Sequence, residues 1–429
     1  MVLTGRRATV QALGALFAMG QVPAAQAQSP AQKAELRIGA IFPASGPLAR
    51  LGEESFRGLE LAVEARNAAG GVFGRPLRLV RAAADHPSQT AAATRVLMSV
   101  ERVAAVFGTS ASVLSMPASR AAELQGVPFF ELGAVADAVT ARGFRLLFRA
   151  APLGSQHAAL SLRACAELLP ELWRARPEDL RVAVLHENGP FGQSLGLVQE
   201  ALLRQGIGPR LSGRFGYPAA ALPDQPGNPP PPQDFTALVA RLREAAPDIL
   251  LHSGHEAETQ ALFRAMAEAG WMPRMLVGCG AGYDLRDIAR AAGLAFEGVM
   301  TVGTAPYDSG GALAGTARQL AERYAARYGQ QPPSGHSLAH AMGAGFFLEA
   351  LHRAGSPGAE AVRLAVLAMR ADDSPAGWPV EIDEDGQNLL ARPTLSQWQG
   401  QGPALRQVAI LGPAALGKPA GRMGPVSSP

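Results

Sequence analysis

The sequence has little cysteine, almost no lysine and no surplus of charge of either sign. Cys165 and Cys279 are the only cysteines in 429 residues, too few for a disulfide-stapled scaffold, and a chain this long buries enough surface to fold without one; whether the two pair is left open. Lys33 and Lys418 are the only lysines, so the basic residues are nearly all arginine, as a codon bias alone would give. The 39 basic and 36 acidic residues leave a formal charge of +3, with no concentrated positive field for a polyanion, and this excludes nucleic acid as a partner. The one long apolar stretch, Val10 to Met19, is about half the length of a membrane-spanning helix.

Catalytic signatures are absent as well. There is no Gly-x-Ser-x-Gly elbow, no phosphate loop ending in Gly-Lys-Ser or Gly-Lys-Thr, no His-Glu-x-x-His and no Cys-x-x-Cys. Gly278-Cys279-Gly280-Ala281-Gly282 follows a strand, but it has the wrong glycine spacing for a dinucleotide turn and no acid at the end of a next strand. It reads as a tight turn lining a cleft. The eight histidines are scattered, and His252 and His255 fall at a strand end and in the following turn rather than at metal-ligand spacing. Neither a cofactor nor a metal nor a catalytic residue is expected.

What the sequence does contain begins with an export signal over residues 1–27: basic Arg6 and Arg7, the apolar stretch, and the small-residue site Ala25-Gln26-Ala27. The mature chain is expected to start near Gln28. No cysteine follows the site, so the product should be soluble in the periplasm and not lipid-anchored. General secretion and twin-arginine export both remain open.

From Leu36 onward, short apolar runs alternate with amphipathic helical stretches, as in β-α-β units around a parallel sheet. Strands are expected at 36–42, 77–80, 103–107 and 127–132, with helices at 54–69 and 89–100. A second series follows, with helices at 156–169, 191–205, 235–245 and 257–269 and strands at 181–185, 248–252 and 275–277. The segment 217–233 carries seven prolines and reads as a solvated loop. Three last helices, 312–328, 338–354 and 360–369, have no strands of their own and must pack on a body already built. Beyond Gly412 the tail is rich in Gly, Pro and Ser and reads as disordered. Small and hydroxyl residues follow two strands, at Thr109-Ser110-Ala111-Ser112 and at Gly133-Ala134. Ligands bind beyond the carboxyl ends of strands in open α/β sheets, so both segments face the expected cleft; helix capping by Ser110 or Ser112 is the other reading.

At these residues the sequence resembles the branched-chain amino acid (Leu/Ile/Val) binding proteins of ABC importers. The carrying stretches include Ile38-Gly39-Ala40-Ile41-Phe42-Pro43-Ala44-Ser45-Gly46-Pro47, Asn67-Ala68-Ala69-Gly70-Gly71-Val72, Pro117-Ala118-Ser119, Thr140-Ala141-Arg142-Gly143, Phe191-Gly192, Asp234-Phe235-Thr236-Ala237-Leu238 and Glu297-Gly298-Val299. They stand in family order and at family spacing across roughly residues 35–398. The resemblance implies an α/β type I periplasmic binding fold: two doubly wound Rossmann-like lobes joined by three hinge crossovers near 149–151, 302–304 and 377–380. Lobe 1 would comprise 35–149 plus 303–376, and lobe 2 would comprise 150–302 plus 377–412, with a strand starting at Val380 to Ile382.

The same resemblance implies a non-catalytic, monomeric receptor that binds a small organic solute, amino-acid-like or a carboxylate or amide, and presents it to an ABC permease in the inner membrane. A ligand sensor or regulator on the same fold is the alternative. Carried over residue by residue, a solute carboxylate would meet Ser112, free N–H groups at Gly133 and Ala134, and Val135. Phe191, His255 and Gly280 would face it from the other lobe. Val135 stands where the family presents a hydroxyl and Gly280 where amino-acid binders place a Glu, which puts an α-amino acid ligand in doubt. Asp284 is expected either to replace that Glu or to cap a helix, and Tyr283 to favour an aromatic or apolar solute body.

Overall fold

The central strands form from aliphatic and aromatic runs that are covered on both faces. The computed structural model describes residues 34–206, 208–219, 234–308, 314–373, 379–410 and 412–416. The expected signal at 1–27, residues 220–233 of the proline-rich segment, 377–378 of the expected third crossover and the tail from 417 lie outside the described residues.

The first series runs β1 (Leu36–Phe42), α1 (Ala49–Ala68), β2 (Leu77–Ala83), α2 (Pro87–Ser99), β3 (Val106–Gly108), α3 (Ser112–Gln125), β4 (Phe129–Glu131) and β5 (Leu147–Arg149). The second runs α4 (Gly154–Arg163), α5 (Leu169–Trp173), β6 (Arg181–Glu187), α6 (Pro190–Arg204), β7 (Arg210–Tyr217), α7 (Thr236–Ala245), β8 (Ile249–Ser253), α8 (Glu256–Glu268), β9 (Met275–Cys279), α9 (Ala281–Asp284), α10 (Arg286–Ala292) and β10 (Met300–Gly303). Helices α11 (Ala314–Tyr328), α12 (His336–Arg353) and α13 (Ala359–Ala368) come next, then β11 (Thr394–Gln399) and β12 (Arg406–Ala409).

The first sheet is wholly parallel in the order β2-β1-β3-β4-β5. The second has the order β12-β11-β10-β9-β8-β6-β7, with β11 and β12 antiparallel at one edge. Alternate residues of a strand point to opposite faces. Ile38, Ala40, Phe42, Phe107, Phe130 and Phe148 therefore share a core with α1, α12 and α13, whereas Ile41, Val106, Phe129 and Leu147 pack on α2 and α3. The second sheet divides in the same way: Ala183, Leu185, Leu250 and Leu276 on one face, Val182, Val184, Ile249, Leu251 and Val277 on the other. The three late helices complete the first lobe, with Phe346, Phe347, Leu351, Val362 and Val366 in its core. The chain thus passes between the lobes after β5, after β10 and before β11.

Several expectations need correction. Strands β5 and β7 were not foreseen, and Tyr217 ends β7 rather than starting a loop. The strand expected at Val380 to Ile382 does not form, and the third crossing lies between Ile382 and β11 rather than near 377–380. The Val380 and Ile382 side chains are buried in the first lobe's core, Ile382 bridges to Asn388, and the strand that returns to the second lobe is β11. Residues 413–415 form a short turn, and Ala415 and Leu416 pack on the second lobe's core. Cys165 and Cys279 are both buried, unpaired and in separate clusters.

The lobes lie against each other. Arg50 Nε on α1 is 3.2 Å from Glu256 Oε1 on α8; the Asp137 N–H donates to Ser194 Oγ (3.0 Å) and the Arg286 N–H to Pro333 O (3.0 Å).

Candidate functional site

Both sheets reverse their strand order beside the first strand of each series, between β1 and β3 and between β6 and β8. Such switch points open a crevice at the carboxyl ends of the strands. The two crevices face one another and enclose a cavity of about 90 Å³. All three chain crossings reach its wall, through Ala150, Ala151 and Pro152, through Gly303, Thr304 and Ala305, and through Arg392 and Thr394.

On the first-lobe side, Ser110, Ser112, Gly133 and Val135 line the cavity with Leu51 and Leu132. Neither serine caps α3, whose cap residue is Ala111 and carries no side-chain bond. Ser112 Oγ accepts the Ala136 N–H at 3.0 Å, and Ser110 Oγ lies 3.1 Å from His340 Nε2. Gly133 is required sterically: a Cβ there would lie 2.7 Å from the His340 ring. The N–H groups of Gly133 and Ala134 are not free, contrary to expectation. Both donate to Glu131 Oε1, at 3.0 and 2.9 Å, because the fully buried Glu131 side chain folds back beneath its own turn. Ala134 lies behind the wall, in the core.

On the second-lobe side, Phe191 projects from the first turn of α6, its ring centroid 5.0 Å from that of His255. Phe191, Leu195 and Cys279 form a small apolar cluster against which Val135 packs. Gly280 has φ +104°, and a Cβ there would lie 2.5 Å from Gly254 O and 3.0 Å from Phe191 Cζ, so no side chain fits this turn. Asp284 is the last residue of α9, not a helix start, and caps nothing. Its Oδ1 accepts from Thr301 Oγ1 (2.9 Å) and Gln407 Nε2 (3.1 Å), while Oδ2 lies 3.5 Å from His336 Nε2. Tyr283 is not in the wall. Its ring is buried against Phe263 and Phe296, its hydroxyl meets His252 Nδ1, and Gly278 leaves the room it needs.

The lining is mostly apolar, with Asp284 and Arg392 as its carboxyl and guanidinium residues and His157, His255, His336 and His340 as its imidazoles. Burial pushes His336 down to about 4, helped by nearby His255, and His340 down to about 3, helped by His336. Burial likewise lowers His157. These imidazoles are neutral at pH 7 and can each donate or accept. Burial raises Asp284 against its hydrogen bonds from Thr301 and Gln407. The Cys279 thiol is pushed well above its ordinary value by burial and then by Asp284, so it stays protonated. Three polar side-chain atoms of wall residues, His255 Nδ1, His336 Nε2 and Thr304 Oγ1, have no hydrogen-bond partner among the described residues.

Reading the sequence missed His157, Thr304, His336, His340 and Arg392 as wall residues. His336 and His340 had a usable signal: four apart at the start of a helical pattern, they share a face. Among the described residues, no group of three or more His, Cys, Asp or Glu side chains is arranged to hold a metal ion.

Comparison with known proteins agrees with this architecture. The periplasmic binding protein family model matches residues 35–402. The chain is 35% identical to the Leu/Ile/Val-binding protein homolog 7 of Brucella suis over 370 residues, covering 85% of this chain and 90% of that protein. It resembles in fold the leucine binding protein LivK of Thermotoga maritima (TM-score 0.72, 20% identity, 88% of this chain and 99% of that one). A solute binding protein of R. palustris crystallised with benzoate is similar too (TM-score 0.68, 21% identity, 90% and 99%). This chain therefore belongs to the periplasmic binding protein family, in its type I, Leu/Ile/Val-binding branch.

Proposed function

We propose that the chain is the solute receptor of an ABC importer: it closes on one small organic molecule in the periplasm and presents the closed form to a permease. The observation that carries this is the cavity between the lobes, bounded by all three chain crossings. A shape change at those crossings alters the cavity without unfolding either lobe. The names of similar proteins mention leucine and benzoate, both small molecules with an apolar body. Phe191, Leu51 and Val135 would contact such a body, and His255, His336 and Thr304 its polar groups.

The receptor binds its solute without changing it: the one thiol in the wall is protonated, and the sequence carries none of the catalytic signatures sought above. Residues 1–27 would direct export, so that the mature protein starts at Gln28, works in the periplasm without a lipid anchor and acts as a monomer. The test is a thermal-shift screen of small acids, amides and amino acids, followed by calorimetry. A solute at 100 times its dissociation constant stabilises the folded form by about 2.7 kcal/mol. The reading expects at least one micromolar solute whose binding is weakened tenfold or more by Phe191→Ala. Binding unaffected by that substitution would place the site elsewhere.

A further inference from the structure

The wall of the cleft on the first lobe contains an anion seat that is already taken. Four backbone N–H groups at the ends of β3 and β4 converge on one point. Those of Thr109 (2.9 Å), Ser110 (3.3 Å), Gly133 (3.0 Å) and Ala134 (2.9 Å) all donate to the carboxylate of Glu131, and the Thr109 hydroxyl shares its one proton between Ala111 O (3.0 Å) and the same carboxylate (3.1 Å). Converging N–H groups of successive turns form a concavity that suits an anion. Glu131 is fully buried, while Ser110 and Gly133 are wall residues, so the occupied seat lies directly behind the surface that a solute touches. The second lobe repeats the device: Glu187, at the end of β6, accepts the N–H groups of Gly189 and of Gly192 (2.6 Å) at the start of α6.

We infer that Glu131 is a specificity-determining residue: as the built-in occupant of this anion seat, it makes the first-lobe wall reject a solute carboxylate and accept an uncharged end group such as an amide or hydroxyl. The physical reason is desolvation. A carboxylate brought against this wall loses water and finds the N–H groups already engaged by the Glu131 oxygens. An amide or hydroxyl loses far less, and it can bond to Ser112, whose oxygen accepts the Ala136 N–H at 3.0 Å and whose own proton remains to be donated. The solute class rests on the receptor reading above; the assignment of the seat does not.

Two experiments separate the two claims. In the first, Glu131→Ala removes the carboxylate and leaves the backbone donors, and formate is titrated against sodium chloride at equal ionic strength. The unfolding midpoint of Glu131→Ala should recover by several degrees in formate and not in chloride, while the wild type responds equally to both salts. A recovery of equal size in the two salts, or none, overturns the seat. Should Glu131→Ala not fold, Glu131→Ser, which keeps one acceptor oxygen, takes its place in the same titration. In the second, benzamide and benzoate, which share a body, are compared by calorimetry. The wild type should favour the amide at least tenfold, and Glu131→Ser should shift that ratio at least tenfold toward the acid. A wild type that favours benzoate tenfold overturns the exclusion. Formate rescue with neither probe bound upholds the seat and counts against the receptor reading instead.

Discussion

Arg149 is the residue whose replacement should be most informative about the joint between the lobes. It ends β5 at the first crossing and is fully buried. Its Nε donates to Gln387 Oε1 (2.7 Å) near the third crossing, Nη2 to Thr140 Oγ1 (2.7 Å), and Nη1 to the carbonyls of Ala136 (2.7 Å) and Ala134 (3.3 Å). Burial lowers its ionisation to about 10, against the pull of Glu131 and Asp137, so it is a cation at neutral pH. Arg149→Met fills much of the same volume and removes every one of these bonds. Relief of burying the charge offsets part of the loss; Ala136 O keeps the Val139 N–H (3.0 Å) and Gln387 Oε1 keeps the Thr140 hydroxyl (3.2 Å), but the Ala134 carbonyl loses its donor, at a cost of about 1–3 kcal/mol. The net expectation is about 2–4 kcal/mol of lost stability. Urea unfolding should show this as a midpoint lowered by about 1–2 M with little change in slope. Because the two carbonyls flank Val135 in the cavity wall, solute affinity should fall too. A Met variant within about 1 kcal/mol of wild type would refute the assignment of Arg149 as the joint.

Acid should destabilise the protein. Burial holds His252 and His340 near 3 and His336 near 4, whereas the unfolded imidazoles protonate near 6.5; the stability they contribute is complete above that value and is lost as the pH falls, at about 1.4 kcal/mol per pH unit for each. Asp284 and Glu54, raised by burial, work in the opposite direction, gaining as the pH falls, so a net loss of about 1–3 kcal/mol between pH 7 and 5.5 is expected. It should shrink in His336→Asn, and equal stability at the two values would contradict it. Gly280→Ala should cost about 1–3 kcal/mol through its positive φ and the contact with Gly254 O, and should weaken solute binding by displacing Phe191; an unchanged unfolding midpoint would show that the turn relaxes.

The fold was most legible in the longer strands that are buried on both faces, such as β1 and β8. Leu36 to Phe42, interrupted only by the exposed Arg37, and Ile249 to Leu251 are apolar runs for that reason, and the glycines after α1 mark where it stops. Strand β7 was not legible because it is an edge strand with mixed exposure, pairing only with β6 through an irregular register. Strand β5 is three residues long, and Val380 and Ile382 carry a strand-like pattern that serves another lobe's core. The site was legible as a location, since Ser112, Val135, Phe191, His255, Gly280 and Asp284 do line one cavity. Its chemistry was not. That Glu131 turns back onto N–H groups 21 and 22 residues away, and that His336 arrives from a helix more than 200 residues later, depends on tertiary contacts that no local spacing encodes. Tyr283 followed the same rule in reverse: next to a wall residue in sequence, it faces the other way on a four-residue helix.

The central claim, that the cavity closes on a solute by movement at the three crossings, is tested most directly by small-angle scattering of the mature chain with and without a saturating solute. The account predicts a smaller radius of gyration in the bound state than in the free one. An unchanged radius on saturation with a tightly bound solute would contradict it.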